Sequence, residues 1–310
     1  MPEPAEPGGV NAHAPQRPLI VATPLGEESD AAVAAGLRLA RSLDRPAILA
    51  HADTPPPILL GAPGGGFVPD AALLERQRDE LSAALAAQAR TAAGDGPQPE
   101  CEVRIGPADL VLAALAEERD AELVVLGPPR RPELGTTADR LLRRLDRPVL
   151  VLRRPERIPP RRVLVAVDLS APSEAALVTG LRLLRALPGE PPSVELLFAL
   201  HPQELAASIH FTPDRVRAFA GEELERLARR AVPEWAGVVE RCVRSGEARD
   251  VILEESAARD ADLVILGTHG RSGLERWLLG SVAAGVLRRA ATNLLVVPRH
   301  AEAGEKGGRA

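Results

Sequence analysis

Short, mainly apolar runs recur along the chain, and the longer stretches between them carry apolar residues at helical spacing. In the second half these runs predict strands at 163–167, 194–200, 238–243, 263–266 and 294–297. Helices are predicted between them, near 173–187, 214–231, 248–259 and 283–290. In the first half the same reading gives strands at 19–22, 47–50, 102–105, 123–126 and 149–152. Strands without polar alternation are covered on both faces, and strands joined through helices run parallel. The pattern therefore predicts an α/β protein with a doubly wound parallel sheet in each half and right-handed crossovers.

The halves are copies of one unit. The segment 104–127 aligns without a gap on 244–267 at an offset of 140, and Leu141-Leu142-Arg143-Arg144 aligns on Val286-Leu287-Arg288-Arg289 at an offset of 145. The first copy has thus lost residues between these points, inside the loop after its fourth strand. The expected organisation is a disordered extension at 1–17, a first domain at 18–153, a proline-stiffened linker at 154–161, a second domain at 162–299 and a disordered tail at 300–310. A Pro/Gly-rich stretch at 55–69 reads as a surface flap.

Chemistry is concentrated after the strand at 263–266, in Gly267-Thr268-His269-Gly270-Arg271-Ser272-Gly273-Leu274-Glu275-Arg276-Trp277-Leu278-Leu279-Gly280-Ser281. Strand, glycine loop and helix start form an anion cradle: glycines at 267, 270 and 280 permit positive φ and close backbone approach, and the helix start adds unsatisfied donors. The spacing is neither that of a Walker A loop nor that of the dinucleotide fingerprint. Gly267, Gly270 and Gly280-Ser281 match the ATP-binding motif of the universal stress protein family, which the chain resembles over nearly all of both copies.

That resemblance implies two tandem five-stranded, Rossmann-like sheets of the adenine nucleotide alpha hydrolase type, each with strand order 3-2-1-4-5. It also implies ATP as the bound cofactor, with Mg as the accompanying ion. Asp168, ending the first strand of the second copy, would accept from the ribose, or cap the helix starting near Ser173, or do both. The backbone at Ala199 would read the adenine edge, with the ring between aliphatic side chains such as Ala166 and Leu266. Phosphates would meet the N–H groups of Gly270, Gly280, Ser281 and Val282; Arg271 would neutralise charge or stay solvated.

The first copy departs at each of these places. Pro24 stands at the aspartate position, Arg130 replaces the second glycine, and Pro128, Pro129 and Pro132 remove backbone donors, so this copy is expected to bind ATP poorly. The last strands, 149–152 and 294–297, are apolar throughout. Family members commonly dimerise through this strand, which implies an intramolecular pseudo-dimer of the two domains, with a homodimer as the competing arrangement.

A net charge of -5, no Tyr and only 2% aromatic residues argue against a nucleic-acid surface. The absence of an apolar run of about 18 residues argues against a membrane span, and the N-terminus lacks a signal-peptide pattern, so a cytoplasmic protein is expected. Cys101 and Cys242 are expected to be buried in strands, and the histidines show no metal-ligand spacing; His269 stands apart because it lies inside the loop. The expected function is an ATP-binding stress-response protein without catalysis. A slow ATPase, with Glu275 orienting water, and a nucleotide-independent scaffold are the alternatives.

Overall fold

The computed structural model describes residues 16–54, 71–128, 137–203, 212–235, 237–269 and 279–298. The first half contributes β1 (Leu19–Ala22), α1 (Asp30–Ser42), β2 (Ala47–Asp53), α2 (Ala71–Ala93), β3 (Glu100–Ile105), α3 (Ala108–Glu118), β4 (Leu123–Leu126), α4 (Thr137–Leu142) and β5 (Val149–Val151). The second half contributes β6 (Arg162–Ala166), α5 (Ala171–Arg185), β7 (Ser193–Leu200), α6 (Pro213–Ala231), β8 (Glu240–Ser245), α7 (Ala248–Ala258), β9 (Leu263–Gly267), α8 (Ser281–Arg289) and β10 (Asn293–Val297).

Within each half the strands are parallel and lie in the order 3-2-1-4-5, and the halves join into one sheet, β3-β2-β1-β4-β5-β10-β9-β6-β7-β8. The junction is antiparallel, with Leu294 opposite Val151, Leu295 opposite Leu150 and Val296 opposite Val149. All six side chains are at most 2% exposed. Burial of an aliphatic side chain contributes about 1.5–3 kcal/mol, so the apolar last strands gain by covering each other. The two domains thus form a pseudo-dimer within one chain. Helices α1, α2, α5 and α6 cover one face of the sheet, and α3, α4, α7 and α8 cover the other.

Two sequence expectations about the fold need correction. The strand expected at 238–243 begins at Glu240, because the preceding turn runs on: the N–H groups of Val238 and Val239 both donate to Trp235 O, which leaves Val238 68% exposed. Cys242 is buried as expected, and burial, reinforced by Glu195, pushes its thiol up to about 11. Cys101 is exposed instead, since it sits near the start of the outer edge strand β3, which has a strand neighbour on one side only. The flap expected at 55–69 lies outside the described residues, as do both terminal extensions apart from the short stretch beginning at Gln16.

The linker is more than a spacer. Asn293, with no exposed surface, accepts the N–H groups of Arg153 and Arg154 through Oδ1, each at 2.9 Å. Its Nδ2 donates to Arg154 O and Asp262 O, also at 2.9 Å. Asp262, 4% exposed, accepts the N–H groups of Arg161 and Arg162 at 2.8 and 2.9 Å and pairs with Arg157 at 2.8 Å. Asp260 meets Arg154, Arg157 and Arg162, and Ile158 is 7% exposed within the core. Residues 153–162 therefore form a strap pinned to the amino-terminal ends of β9 and β10.

Burial disfavours the charge on Asp262, but the two backbone N–H groups and the Arg157 guanidinium outweigh it and hold the carboxyl below its ordinary 3.8. A depressed folded value means that the carboxylate's contribution is complete above 3.8 and is lost as pH falls through the lower folded value. Amide exchange at Arg161 and Arg162 is expected to stay slow through pH 3.8 and to accelerate only below it. Asp262→Asn should erase that acid step; an unchanged profile would show that Asp262 does not hold the strap.

Candidate functional site

In open parallel sheets, ligands bind beyond the carboxyl ends of the strands, where the chain turns to opposite sides of the sheet. In the second half that point lies between β6 and β9, and a cavity of about 330 Å³ opens there. Eight of the ten candidate residues line it: Ala166 and Asp168 after β6, Ala199 on β7, Leu266 and Gly267 on β9, and Gly280, Ser281 and Val282 at the start of α8. Gly270 and Arg271, together with Glu275, lie outside the described residues. Ala166 and Leu266 follow the paired residues Val165 and Ile265, so they sit side by side on one wall. A planar ring would lie against them, not between them as expected.

The carboxyl end of β9 and the start of α8 are held together by backbone. Gly280 N donates to Thr268 O at 2.8 Å, and Thr268 N donates to Val297 O at 3.0 Å on the neighbouring strand. A Cβ at Gly280 would stand 2.9 Å from Thr268 O, a contact that side chains do not tolerate. Gly280 has φ −56, so its glycine is demanded by this close approach and not by a positive φ, as the sequence had suggested. Gly267 is likewise absent from the positive-φ glycines; its Cβ would lie 3.2 Å from Pro172 O. Gly280 is also the N-cap of α8 and offers no capping side chain. The N–H groups of Ser281 and Val282 are therefore among the helix-start donors without an intrahelical acceptor, at the positive end of the helix dipole.

Asp168 does not cap α5. That role falls to Ser170, whose hydroxyl accepts from Ser173 N, while Asp168 Oδ1 accepts the N–H of Ser170 at 3.0 Å and its hydroxyl at 2.5 Å. Asp168 thereby fixes the turn that carries it to the cavity wall. His269 also lines the cavity; its Nδ1 lies 2.9 Å from Thr268 Oγ1, and its Nε2 is buried with no hydrogen-bond partner among the described residues.

Motif reading missed Ser173, Thr268, Ala248 and Ile252, which also line the cavity. Thr268 lay within the glycine motif and could have been named. Ala248 and Ile252 belong to α7, which reaches the site only through long-range packing.

The corresponding corner of the first half is internally satisfied. Thr23, just before Pro24, donates to Gln88 Oε1 at 2.9 Å and lies 3.0 Å from Ser29 Oγ, while Gln88 Nε2 donates to Asp30 Oδ1 at 2.6 Å. Its backbone carbonyl lies 2.9 Å from Nδ1 of the buried His51. The shortened loop after β4 lies largely outside the described residues.

The model described as "Universal stress protein family" matches residues 16–153 and 160–298. A universal stress protein of Mycolicibacterium smegmatis is 27% identical over 300 residues, covering 90% of this chain and 96% of that protein. One from Methanocaldococcus jannaschii is 35% identical over 79 residues, 26% of this chain, and the aligned part spans 46% of that protein. A crystal structure of a universal stress protein from Archaeoglobus fulgidus shares the fold with a TM-score of 0.60 at 17% identity, covering 91% of this chain and 98% of that one.

Proposed function

Because the chain belongs to the universal stress protein family, with one copy of the fold in each half, we propose that the second domain binds ATP and the first does not. Nucleotide occupancy then serves a regulatory role in a stress response. The observation that carries this reading is the cavity between β6 and β9, where Gly280 is pressed against Thr268 O beside the uncapped start of α8. A polyphosphate fits this donor set. Ser281 and Val282 would hold it through backbone N–H groups, and Asp168 would accept from the ribose. Among the described residues no cluster of three His, Cys, Asp or Glu side chains could hold a metal ion, so Mg would be carried by the phosphates and water. When bound, the nucleotide would supply negative charge to the start of α8 and a planar base to the apolar wall of the cavity.

Mass spectrometry of the small molecules released by denaturing the purified protein tests this directly. An adenine nucleotide is expected; a protein that carries none and fails to bind added ATP would be a scaffold.

Turnover is expected to be far below the 1–100 s⁻¹ typical of kinases. Asp168 and His269 are the only ionisable side chains among the described residues lining the cavity, and Asp168 Oδ1 is already engaged. Rapid phosphate release in a single-turnover assay, abolished by Glu275→Gln, would contradict this.

A further inference from the structure

The nucleotide cavity and the strap meet opposite ends of one short helix. α8 has nine residues, a length of about 13 Å at 1.5 Å per residue. Its start, at Gly280, Ser281 and Val282, lines the cavity. In its last turn, Leu287 O accepts Nη2 of Arg153 at 2.5 Å. Arg153 closes the first domain, two residues after β5, and its own N–H is held by Asn293 Oδ1 at 2.9 Å. A side chain from one half thus grips the helix that presents the ligand site of the other.

α8 depends on what meets its two ends, because a helix of this length has little stability of its own. Gly280 offers no capping side chain. Gly285, in the middle, leaves room for the Arg249 stem, which any Cβ there would overlap, and adds backbone freedom that opposes the helix. An anion at the first turn and a guanidinium at the last both favour the helix, through opposite poles of its dipole. Arg153 depends on α8 in turn. Burial pushes its guanidinium below the ordinary value, its Nε is buried with no hydrogen-bond partner among the described residues, and no carboxylate among them pairs with it. A guanidinium held in this way by the end of α8 is better off in water once that end unwinds.

The link runs in one direction only. At the offset of 145, Arg153 aligns on Pro298 and Asn293 on Pro148, and a proline side chain offers no hydrogen bond. The first domain's α4 therefore receives no equivalent grip from these positions.

On the reading that the second domain binds ATP, we propose that Arg153 couples nucleotide occupancy at the start of α8 to the hold of the strap at residues 153–162. Nucleotide favours the ordered helix, the ordered helix favours buried Arg153, and the strap stays closed. Occupancy is thereby read out at the junction of the two halves. The coupling is reciprocal, so removing the grip weakens nucleotide binding by the same factor.

Amide hydrogen exchange of the full chain with and without saturating MgATP, set beside calorimetric titration with MgATP, tests this. In the wild type, ATP is expected to slow exchange at the strap amides of Arg154, Arg161 and Arg162 by about tenfold, a typical coupling. Arg153→Met keeps much of the stem and removes the donor; it should weaken ATP binding by that same factor, and strap exchange should no longer respond to saturating ATP. A purely structural role would speed strap exchange equally with and without ATP and leave the affinity unchanged. A wild type that binds no ATP would overturn the nucleotide reading and the coupling with it. A wild type that binds ATP with unchanged strap exchange, or a folded Arg153→Met protein with wild-type affinity or an unaltered response to ATP, would overturn the coupling alone.

Discussion

Gly280→Val is expected to lower ATP affinity by at least about a hundredfold, roughly 2.7 kcal/mol. The added Cβ meets Thr268 O at 2.9 Å, and that oxygen belongs to backbone that cannot retreat. Thr268 O accepts Gly280 N, and Thr268 N is bonded to Val297 O on β10. The start of α8 must therefore move away from β9, taking the N–H groups of Ser281 and Val282 off the phosphates. A branched side chain widens the displacement. Ser281→Ala removes only the hydroxyl and keeps the backbone N–H in place, so it should cost only about 1 kcal/mol. Calorimetry with circular dichroism as a check on folding decides it; a folded Gly280→Val protein with wild-type affinity would mean that the loop end is only a turn.

Asn293→Ala is expected to be the most damaging substitution outside the nucleotide site, destabilising the chain by about 3–5 kcal/mol, since each buried group left unpaired costs about 1–3 kcal/mol. Asn293 is wholly buried and makes four hydrogen bonds, two accepted from Arg153 and Arg154 and two donated to Arg154 O and Asp262 O. Alanine leaves all four backbone groups without that partner. Water can reach the half-buried strap more easily than the carbonyl at Asp262, so the loss should stop short of the full sum. The strap also carries Arg153, whose guanidinium is pushed below its ordinary value by burial and donates to Leu287 O at 2.5 Å in the last turn of α8. Urea denaturation should show a lower midpoint, and proteolysis should open first within 153–162. A variant as stable as the parent would show that the strap merely rests on the second domain.

Much of the architecture was legible in the sequence because the inner strands are short, mainly apolar runs bounded by turn residues, whereas the edge strands β3 and β8 carry several charged residues. The seam was legible too: Val149–Val151 and Leu294–Val297 are too apolar to face water. What stayed hidden depends on partners far away in sequence. Asp262 meets Arg157, Arg161 and Arg162 about a hundred residues earlier, so 153–161 read as a tether although it is held down. Ala248 and Ile252 reach the cavity only through the packing of α7, which no local spacing encodes. Of the two reasons the sequence offered for Gly280, positive φ fails and the lack of room for a Cβ holds, but the neighbour that demands it, Thr268 O, is a tertiary fact that no local spacing names. Cys101 misled because membership of a strand does not reveal that the strand lies at the sheet edge, although its neighbours Glu100 and Glu102 hinted at exposure.

The asymmetry between the halves is the centre of the account. In the second, a cavity lined by Asp168 ends at the uncapped start of α8. In the first, Gln88 ties up the polar groups around Thr23 and a proline follows. Calorimetric titration of the intact chain with MgATP measures that asymmetry as a stoichiometry. One ATP per chain, lost in Gly280→Val, is the expected result. Two sites per chain, or a single site that survives Gly280→Val with unchanged affinity, would contradict it.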